Sequence, residues 1–227
     1  ERLAWTLKLN PMCLNHQCLL LDRCPFCEQQ LRPNRKSLLT CKCGSDLRDW
    51  STVRVPNIVT KTAGDVSQRL DSDASPVDGL STAACCWWID RIRASIEKTP
   101  KCLTHLTTEL GLCSDTPFES ATWIAAASVL SDWPERFRNY LDVLQRSAQL
   151  NSASRIRRKF GQLPQDASKL EALGYAAPAD VMRDYLMNRY SHGHLSRKLC
   201  LFRSANTRSH LVQCSWITQT QAAKTLG

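Results

Sequence analysis

The sequence of 227 residues lacks the common signatures of catalysis. It has no glycine-rich phosphate-binding loop and no Gly-x-Ser-x-Gly nucleophile motif. Its acidic residues form no recurring motif of the kind that holds paired metal ions for strand transfer. We therefore predict that the chain is not an enzyme, and that any ATP hydrolysis linked to its function belongs to a partner.

Long apolar runs are also missing. No apolar stretch reaches the length of about 18 residues that a membrane-spanning helix needs, and the sequence shows no signal peptide. With 43% apolar residues the chain still has enough material for a substantial core. These features predict a globular cytoplasmic protein without a membrane partner.

The sequence has fewer acidic than basic residues, 21 against 30, for a formal charge of +9. This excess favours a polyanionic partner, because each phosphate contact releases condensed counterions. The alternative is that the charge only keeps the protein soluble. The candidate nucleic-acid-binding residues fall within one five-residue segment: Arg155, Arg157, Arg158 and Lys159. A second basic zone from Arg183 to Arg208 is also consistent with the solvated face of an amphipathic helix.

Four of the 12 cysteines form two close pairs, Cys24-Pro-Phe-Cys27 and Cys41-Lys-Cys43, separated by thirteen residues. Each pair supplies two thiolates and the intervening loop closes the set, which is typical of a tetrahedral structural Zn²⁺ site. The alternatives are disulfides or buried reduced thiols, but disulfide scaffolds are usually short secreted chains. We interpret the cysteines without ligand spacing as reduced core thiols: Cys18, Cys85, Cys86, Cys102, Cys113, Cys200 and Cys214.

A further pair, Cys13-Leu-Asn-His16, has the spacing of half a metal site. It supplies two candidate metal ligands, and no second unclaimed pair follows nearby.

The sequence divides into four segments. The cysteine pairs mark a zinc-finger module over 1–48, which is followed by a linker over 49–80. Apolar periodicity predicts a mainly α protein with a helical domain over 81–212, and the start of a helix-turn-helix follows over 213–227. In the linker, Val53 to Val59 suggests one short strand. Helices are predicted from Ser81 or Thr82, over 118–130, from Asp132 with Pro134 in the first turn, and over 151–160, 165–173 and 178–190. Trp87 and Trp88 are predicted to lie in the core.

The last segment has the features of a first helix of a helix-turn-helix. Thr218 and Gln221 form a capping box, Ala222 and Ala223 allow close helix packing, and Gly227 suits the turn. No residue present is assigned to base reading, because the recognition helix would come after this segment.

Several of these motifs together resemble the TniQ/TnsD family. They are Arg2-Leu-Ala-Trp5, Cys13-x-x-His16, Cys18-Leu-Leu-Leu-Asp-Arg-Cys24-Pro-x-Cys27, Cys41-x-Cys43-Gly44-x-Asp46-Leu47, Asp132-Trp133-Pro134-x-x-Phe137 and Arg158-Lys-Phe160-Gly161. The resembling blocks cover roughly residues 1–50 and 120–227. In the family a Cys-Pro-x-Cys pair upstream completes the first finger. That pair is absent here, so we expect the partners of Cys13 and His16 to precede residue 1.

The resemblance implies a bacterial target-selection adaptor of a TnsABC-type DNA transposon. Its implied partners are target DNA, the AAA+ transposition regulator and, in some members, an RNA-guided CRISPR effector complex. The sequence leaves open which targeting route applies and the oligomeric state, with a dimer among the alternatives. Two other functions stay open as well: a helix-turn-helix or zinc-finger transcriptional regulator, and a protein-interaction scaffold whose charge is incidental.

Overall fold

The computed structural model describes residues 12–13, 16–31, 36–37, 39–50, 52–57, 59–61, 64, 77, 79–147, 156–190 and 200–202. An antiparallel hairpin pairs β1 (Met12–Cys13) with β2 (Cys18–Leu19). The helices that follow are α1 (Thr82–Glu97), α2 (Pro100–Glu109), α3 (Phe118–Ser128), α4 (Glu135–Ser147), α5 (Ile156–Phe160), α6 (Leu163–Ala172) and α7 (Ala177–Arg189). Short 3₁₀ turns lie at Leu47–Asp49 and Cys200–Phe202. The prediction of a mainly α protein is confirmed.

Two of the predicted helix starts agree with the structure, and a third lies three residues later than predicted. The Ser81 hydroxyl accepts the backbone N–H of Ala84 at 3.2 Å, which caps α1 as predicted. The helix predicted from Phe118 begins there and ends at Ser128. The helix predicted from Asp132 instead begins at Glu135, after turns over 129–134 that include a cis Trp133–Pro134 peptide. The N–H of Arg136 still donates to the Asp132 carbonyl at 3.0 Å, so the turn leads directly into the helix.

Helix α2 was not predicted from the sequence. Its residues include Thr104, Thr107 and Thr108, and β-branched residues have low helix propensity. In the structure each of these threonine hydroxyls donates to a carbonyl one turn earlier, which satisfies the side chains within the helix.

The main core forms around α1, which contacts α3, α6 and α2. Trp88 and Phe137 are fully buried and meet edge to face, with ring centroids 5.8 Å apart. Trp87 is half-buried and packs against this core, as expected for a core tryptophan. Almost all of α3 is buried, which agrees with its nearly continuous apolar sequence. Burial of these side chains supplies most of the driving force for folding.

A smaller core joins the N-terminal hairpin to the helical body. Met12 and Leu19 pack with Val55 and Val59, and with Leu110 and Ile124 of the body. The predicted strand over Val53 to Val59 forms only in part. Val53 and Val55 hydrogen-bond to the hairpin through the Leu19 N–H at 3.0 Å and the Gln17 carbonyl at 2.8 Å, whereas residues 57 and 59–61 are helical.

One arginine of the second basic zone faces inward. Arg183 is 7% exposed and bonds both carboxylate oxygens of Glu171 at 2.9 Å and the Leu201 carbonyl at 3.1 Å, with Asp180 as a further ion-pair partner. A buried guanidinium held by these acceptors is unavailable to phosphate. The expectation that this zone presents a basic surface is therefore wrong at Arg183.

Within the described ranges, no helix combines the length and apolarity that crossing a bilayer requires.

Candidate metal centre

The four cysteines of the two close pairs meet in space. The Sγ atoms of Cys24, Cys27, Cys41 and Cys43 all lie within 4.8 Å of one another. Cys24 Sγ is 3.8 Å from Cys43 Sγ, and Cys27 Sγ is 3.6 Å from Cys41 Sγ. A disulfide needs sulfurs about 2.05 Å apart, so none of these contacts is a disulfide, and all four thiols are free. Each contact joins one cysteine of the first pair to one of the second.

These separations fit a tetrahedral zinc ion. A Zn–S bond of about 2.3 Å places two thiolates of a tetrahedron about 3.8 Å apart. The two contacts of 3.8 and 3.6 Å match that spacing. A Zn²⁺ ion held by four thiolates would have no open position for substrate, which is the arrangement of structural zinc sites. Among the described residues, this is the only group of three or more potential ligands close enough to hold a metal.

The backbone turns that present the cysteines have the same design. The Cys24 N–H donates to the Gln29 carbonyl at 2.9 Å, and the Cys41 N–H donates to the Ser45 carbonyl at 3.0 Å. Each turn then closes onto the carbonyl of its first cysteine, from Glu28 N–H at 2.8 Å and from Gly44 N–H at 3.0 Å. The two turns thus form two similar knuckles that face each other.

The residue after the second cysteine of each knuckle adopts a left-handed backbone. Gly44 has φ 89° and Glu28 has φ 59°. Glycine adopts this conformation without steric cost, whereas a residue with a Cβ loses roughly 1 to 2 kcal/mol. The second knuckle therefore has glycine, the residue that this conformation favours. In the first knuckle Glu28 adopts the conformation, and the hydrogen bond from its N–H to the Cys24 carbonyl helps to stabilise it.

Neighbouring groups shift the pKa values of two of the cysteine thiols. The Ser45 hydroxyl, 3.2 Å from Cys43 Sγ, and then the Ser45 backbone N–H lower the pKa of the Cys43 thiol to about 6. At Cys27 the Gln29 backbone N–H also lowers the pKa of the thiol. Desolvation and the three neighbouring thiols outweigh this effect and raise the pKa to about 12. The pKa of Cys43 is thus lowered and that of Cys27 raised, and a bound cation would favour the thiolate form of both.

Two contacts outside the ligand set brace the module. Phe26, within the first knuckle, meets Trp50 edge to face with ring centroids 6.3 Å apart. Asp46 caps the 3₁₀ turn that leads to Trp50 by accepting the Arg48 N–H at 2.9 Å, and the Arg48 side chain lowers the pKa of Asp46 to about 2. Sequence reasoning did not identify Ser45, Gln29 or this aromatic pair. Of these, only Ser45 could have been found from the sequence, because a hydroxyl two residues after a cysteine ligand is close enough to hydrogen-bond its sulfur.

The two residues of the predicted half-site lie close together, and their metal-binding role stays a prediction. Cys13 Sγ lies 3.2 Å from His16 Nδ1, a separation that suits two ligands of one metal ion. Cys18 stands directly opposite Cys13 in the hairpin. Desolvation and then the neighbouring Cys13 raise the pKa of Cys18. Cys18 is thus half-buried beside this pair, which corrects its assignment as a core thiol.

The remaining predicted thiols divide into two groups. Cys85 and Cys102 are buried in the main core as expected, and burial raises the pKa of Cys102 to about 12. Cys113 is exposed, so its assignment to the core is wrong. It follows α2 in a surface turn, where an apolar neighbour in the sequence does not imply burial. Cys86 is half-buried, and desolvation raises the pKa of its thiol, so it lies at the edge of the core. The remaining assignments, Cys200 and Cys214, concern side chains outside the described part of the chain.

The predicted basic cluster is described only in part. Arg155 lies outside the described residues, and so do the side chains of Arg157 and Arg158 in α5. The Lys159 Nζ lies 5.3 Å from the centroid of the Tyr190 ring, which gives this lysine a structural contact. The nucleic-acid-binding role of the cluster stays a prediction. The start of a helix-turn-helix over 213–227 also lies outside the described residues.

Comparisons with models of protein families, with curated proteins and with solved structures found no match to this chain.

Proposed function

We propose that the chain is a non-catalytic target-selection adaptor of a TnsABC-type DNA transposon. In this role it links target DNA, or a DNA-bound complex that includes a CRISPR effector, to the AAA+ transposition regulator. The observation that carries the proposal is the convergence of Cys24, Cys27, Cys41 and Cys43 within the segment that resembles the TniQ/TnsD zinc-finger module.

The second resembling block supports the same proposal. Trp133 and Phe137 stack with ring centroids 5.0 Å apart, and Phe137 contacts Trp88 in the main core. The aromatic residues of the Asp-Trp-Pro-x-x-Phe block therefore pack in the core, which is the role expected of a motif that is typical of a fold. The charge of +9 is consistent with DNA as a partner.

Zinc in this proposal holds the module in shape. The four thiolates bind the ion, tie the two knuckles together, and present Phe26 and Trp50 at the surface, where they are 55% and 38% exposed. Metal binding and folding of the module form one equilibrium, because the unfolded segment has no preformed site.

The test is capture of the transposon's AAA+ ATPase by the tagged chain in the presence of ATP and target DNA. Wild type is compared with the double substitution Cys24→Ser/Cys27→Ser, and with Cys113→Ser as a control for loss of an exposed thiol outside the ligand set. We expect wild type and the control to capture the ATPase, and the double variant to lose both zinc and capture.

The alternative functions give different results in this assay. DNA binding without any ATPase contact would contradict the adaptor and favour a transcriptional regulator. Protein capture that needs neither DNA nor ATP would favour an interaction scaffold.

A further inference from the structure

The four cysteines of the candidate metal centre differ in their access to solvent. Cys43 is exposed, whereas Cys24 and Cys41 are buried and Cys27 is half-buried. The next residue, Gly44, is also exposed and has no side chain that could cover Cys43. The space beside Gly44 is open, because no atom lies within 4 Å of the position that a Cβ would take. A small solute therefore reaches the centre from the Cys43 side.

The exposed sulfur has a second sulfur at close range. Cys43 Sγ lies 3.8 Å from Cys24 Sγ, in the opposite knuckle. A disulfide needs the two sulfurs about 2.05 Å apart, so they must approach each other by roughly 1.8 Å. The open space beside Gly44 gives the Cys43 side chain room to move. The contact between Cys27 and Cys41 is as short, at 3.6 Å, but neither of these residues is exposed.

Another exposed thiol shows what exposure provides without a neighbouring sulfur. Cys113 is exposed, and its Sγ contacts the Thr116 hydroxyl at 3.4 Å. A hydroxyl cannot complete a disulfide, and Cys113 is not part of the four-cysteine cluster. Oxidation of Cys113 should therefore leave the metal centre intact, which makes this residue an internal reference.

We infer that Cys43 is a modification site for hydroperoxides, and that Cys24 converts its oxidised form to a disulfide. Susceptibility of a cysteine to oxidation follows exposure and thiolate form, and metal binding holds the ligands as thiolates. The Cys43 thiolate attacks hydrogen peroxide, an S–O bond forms, the O–O bond breaks, and hydroxide leaves. The Cys24 thiolate then attacks the Cys43 sulfur, the S–O bond breaks, and a second hydroxide leaves. Two sulfurs thus lose two electrons, and one peroxide gains them.

This reaction removes half of the ligand set. Cys27 and Cys41 remain as thiolates, fewer than the four ligands of a structural zinc site, so the metal is released. The new disulfide keeps the two knuckles joined, and a disulfide reductant restores all four thiols. The inference concerns the metal centre alone and does not depend on the proposed function.

The test treats the zinc-loaded full chain with limiting hydrogen peroxide. Zinc release is followed with a colorimetric chelator, free thiols are blocked with iodoacetamide, and the disulfides are mapped by trypsin digestion and mass spectrometry. Cleavage after Lys42 places Cys41 and Cys43 in different peptides, and fragmentation distinguishes Cys24 from Cys27. We expect one disulfide between Cys24 and Cys43 for each zinc ion released, and reversal of both changes by a phosphine reductant.

Two matched histidine variants assign the reaction to the exposed ligand. Imidazole replaces a thiolate in Cys₃His zinc sites, so Cys43→His and Cys41→His can each retain four ligands. Cys43→His should release zinc several-fold more slowly than wild type, whereas Cys41→His and Cys113→Ser should release it at the wild-type rate. Zinc content is measured before peroxide is added. If a variant fails to hold zinc, the disulfide map of wild type still decides the inference.

Several results would overturn the inference. One is a first disulfide that joins two cysteines of the same knuckle, or that joins Cys27 to Cys41. Another is zinc release without any disulfide. A third is retention of zinc at peroxide concentrations that already oxidise Cys113.

Discussion

Removal of zinc should unfold the knuckle module while the helical body stays folded. Between residues 22 and 50, the described buried hydrophobic residues are Cys24 and Cys41 alone, and both are predicted ligands. Phe26 and Leu39 are 55% and 50% exposed, so they contribute little burial. The metal-free segment therefore has almost no core to offset the entropy cost of ordering, about 1 to 2 kcal/mol per residue.

The expected size of the effect is large. Structural zinc sites contribute on the order of 10 kcal/mol to folding of their module at neutral pH. By contrast, Met12 and Leu19 of the hairpin pack against the helical body and do not depend on these four thiolates. Loss of structure should thus extend from Cys24 to Leu47 and stop before the hairpin.

Limited proteolysis with trypsin, with and without a zinc chelator, measures this effect. Lys42 lies between two ligands, so cleavage there requires the second knuckle to open. We expect chelation to make Lys42 a rapid cleavage site while Lys169 in α6 retains its resistance. Equal resistance at Lys42 in zinc-bound and chelator-treated samples would refute a structural role for the metal, and so would a zinc content far below one ion per chain.

Three further predictions concern single residues. Gly44→Ala should weaken zinc-dependent folding by about 1 to 2 kcal/mol, because no atom lies within 4 Å of the added Cβ and only the positive φ opposes it; unchanged zinc affinity in a competition assay would contradict this. Ser45→Ala should raise the pKa of the Cys43 thiol from about 6, so the pH midpoint of zinc binding moves upward, since the metal competes with the proton; an unchanged midpoint would exclude the hydroxyl as a donor. Arg183→Ala should lower the free energy of unfolding by about 2 kcal/mol, because it leaves the partly buried Glu171 carboxylate and the buried Leu201 carbonyl without their donor, whereas Arg189→Ala, whose side chain is 56% exposed, should cost under about 1 kcal/mol. Equal urea midpoints for the two arginine variants would contradict the structural role of Arg183.

The sequence by itself determined the features that depend on local spacing and local conformation. The two cysteine pairs at Cys24 and Cys41 predicted the four-cysteine cluster, because each short pair supplies two neighbouring ligands and one loop is enough to bring the pairs together. Ser81 predicted the start of α1, because a cap bonds the backbone three residues away. The nearly continuous apolar run from Phe118 predicted a buried helix.

The tertiary structure alone decided the features that depend on residues distant in sequence. Arg183 is an ordinary basic residue in the sequence, and its burial follows from contact with Glu171 and Leu201 across a helix boundary. Val53 and Val55 bond to the hairpin and pack in a cluster that also contains Leu110 and Ile124 of the helical body. Such contacts carry no short-range signal, since their free energy depends on which surfaces the whole chain brings together.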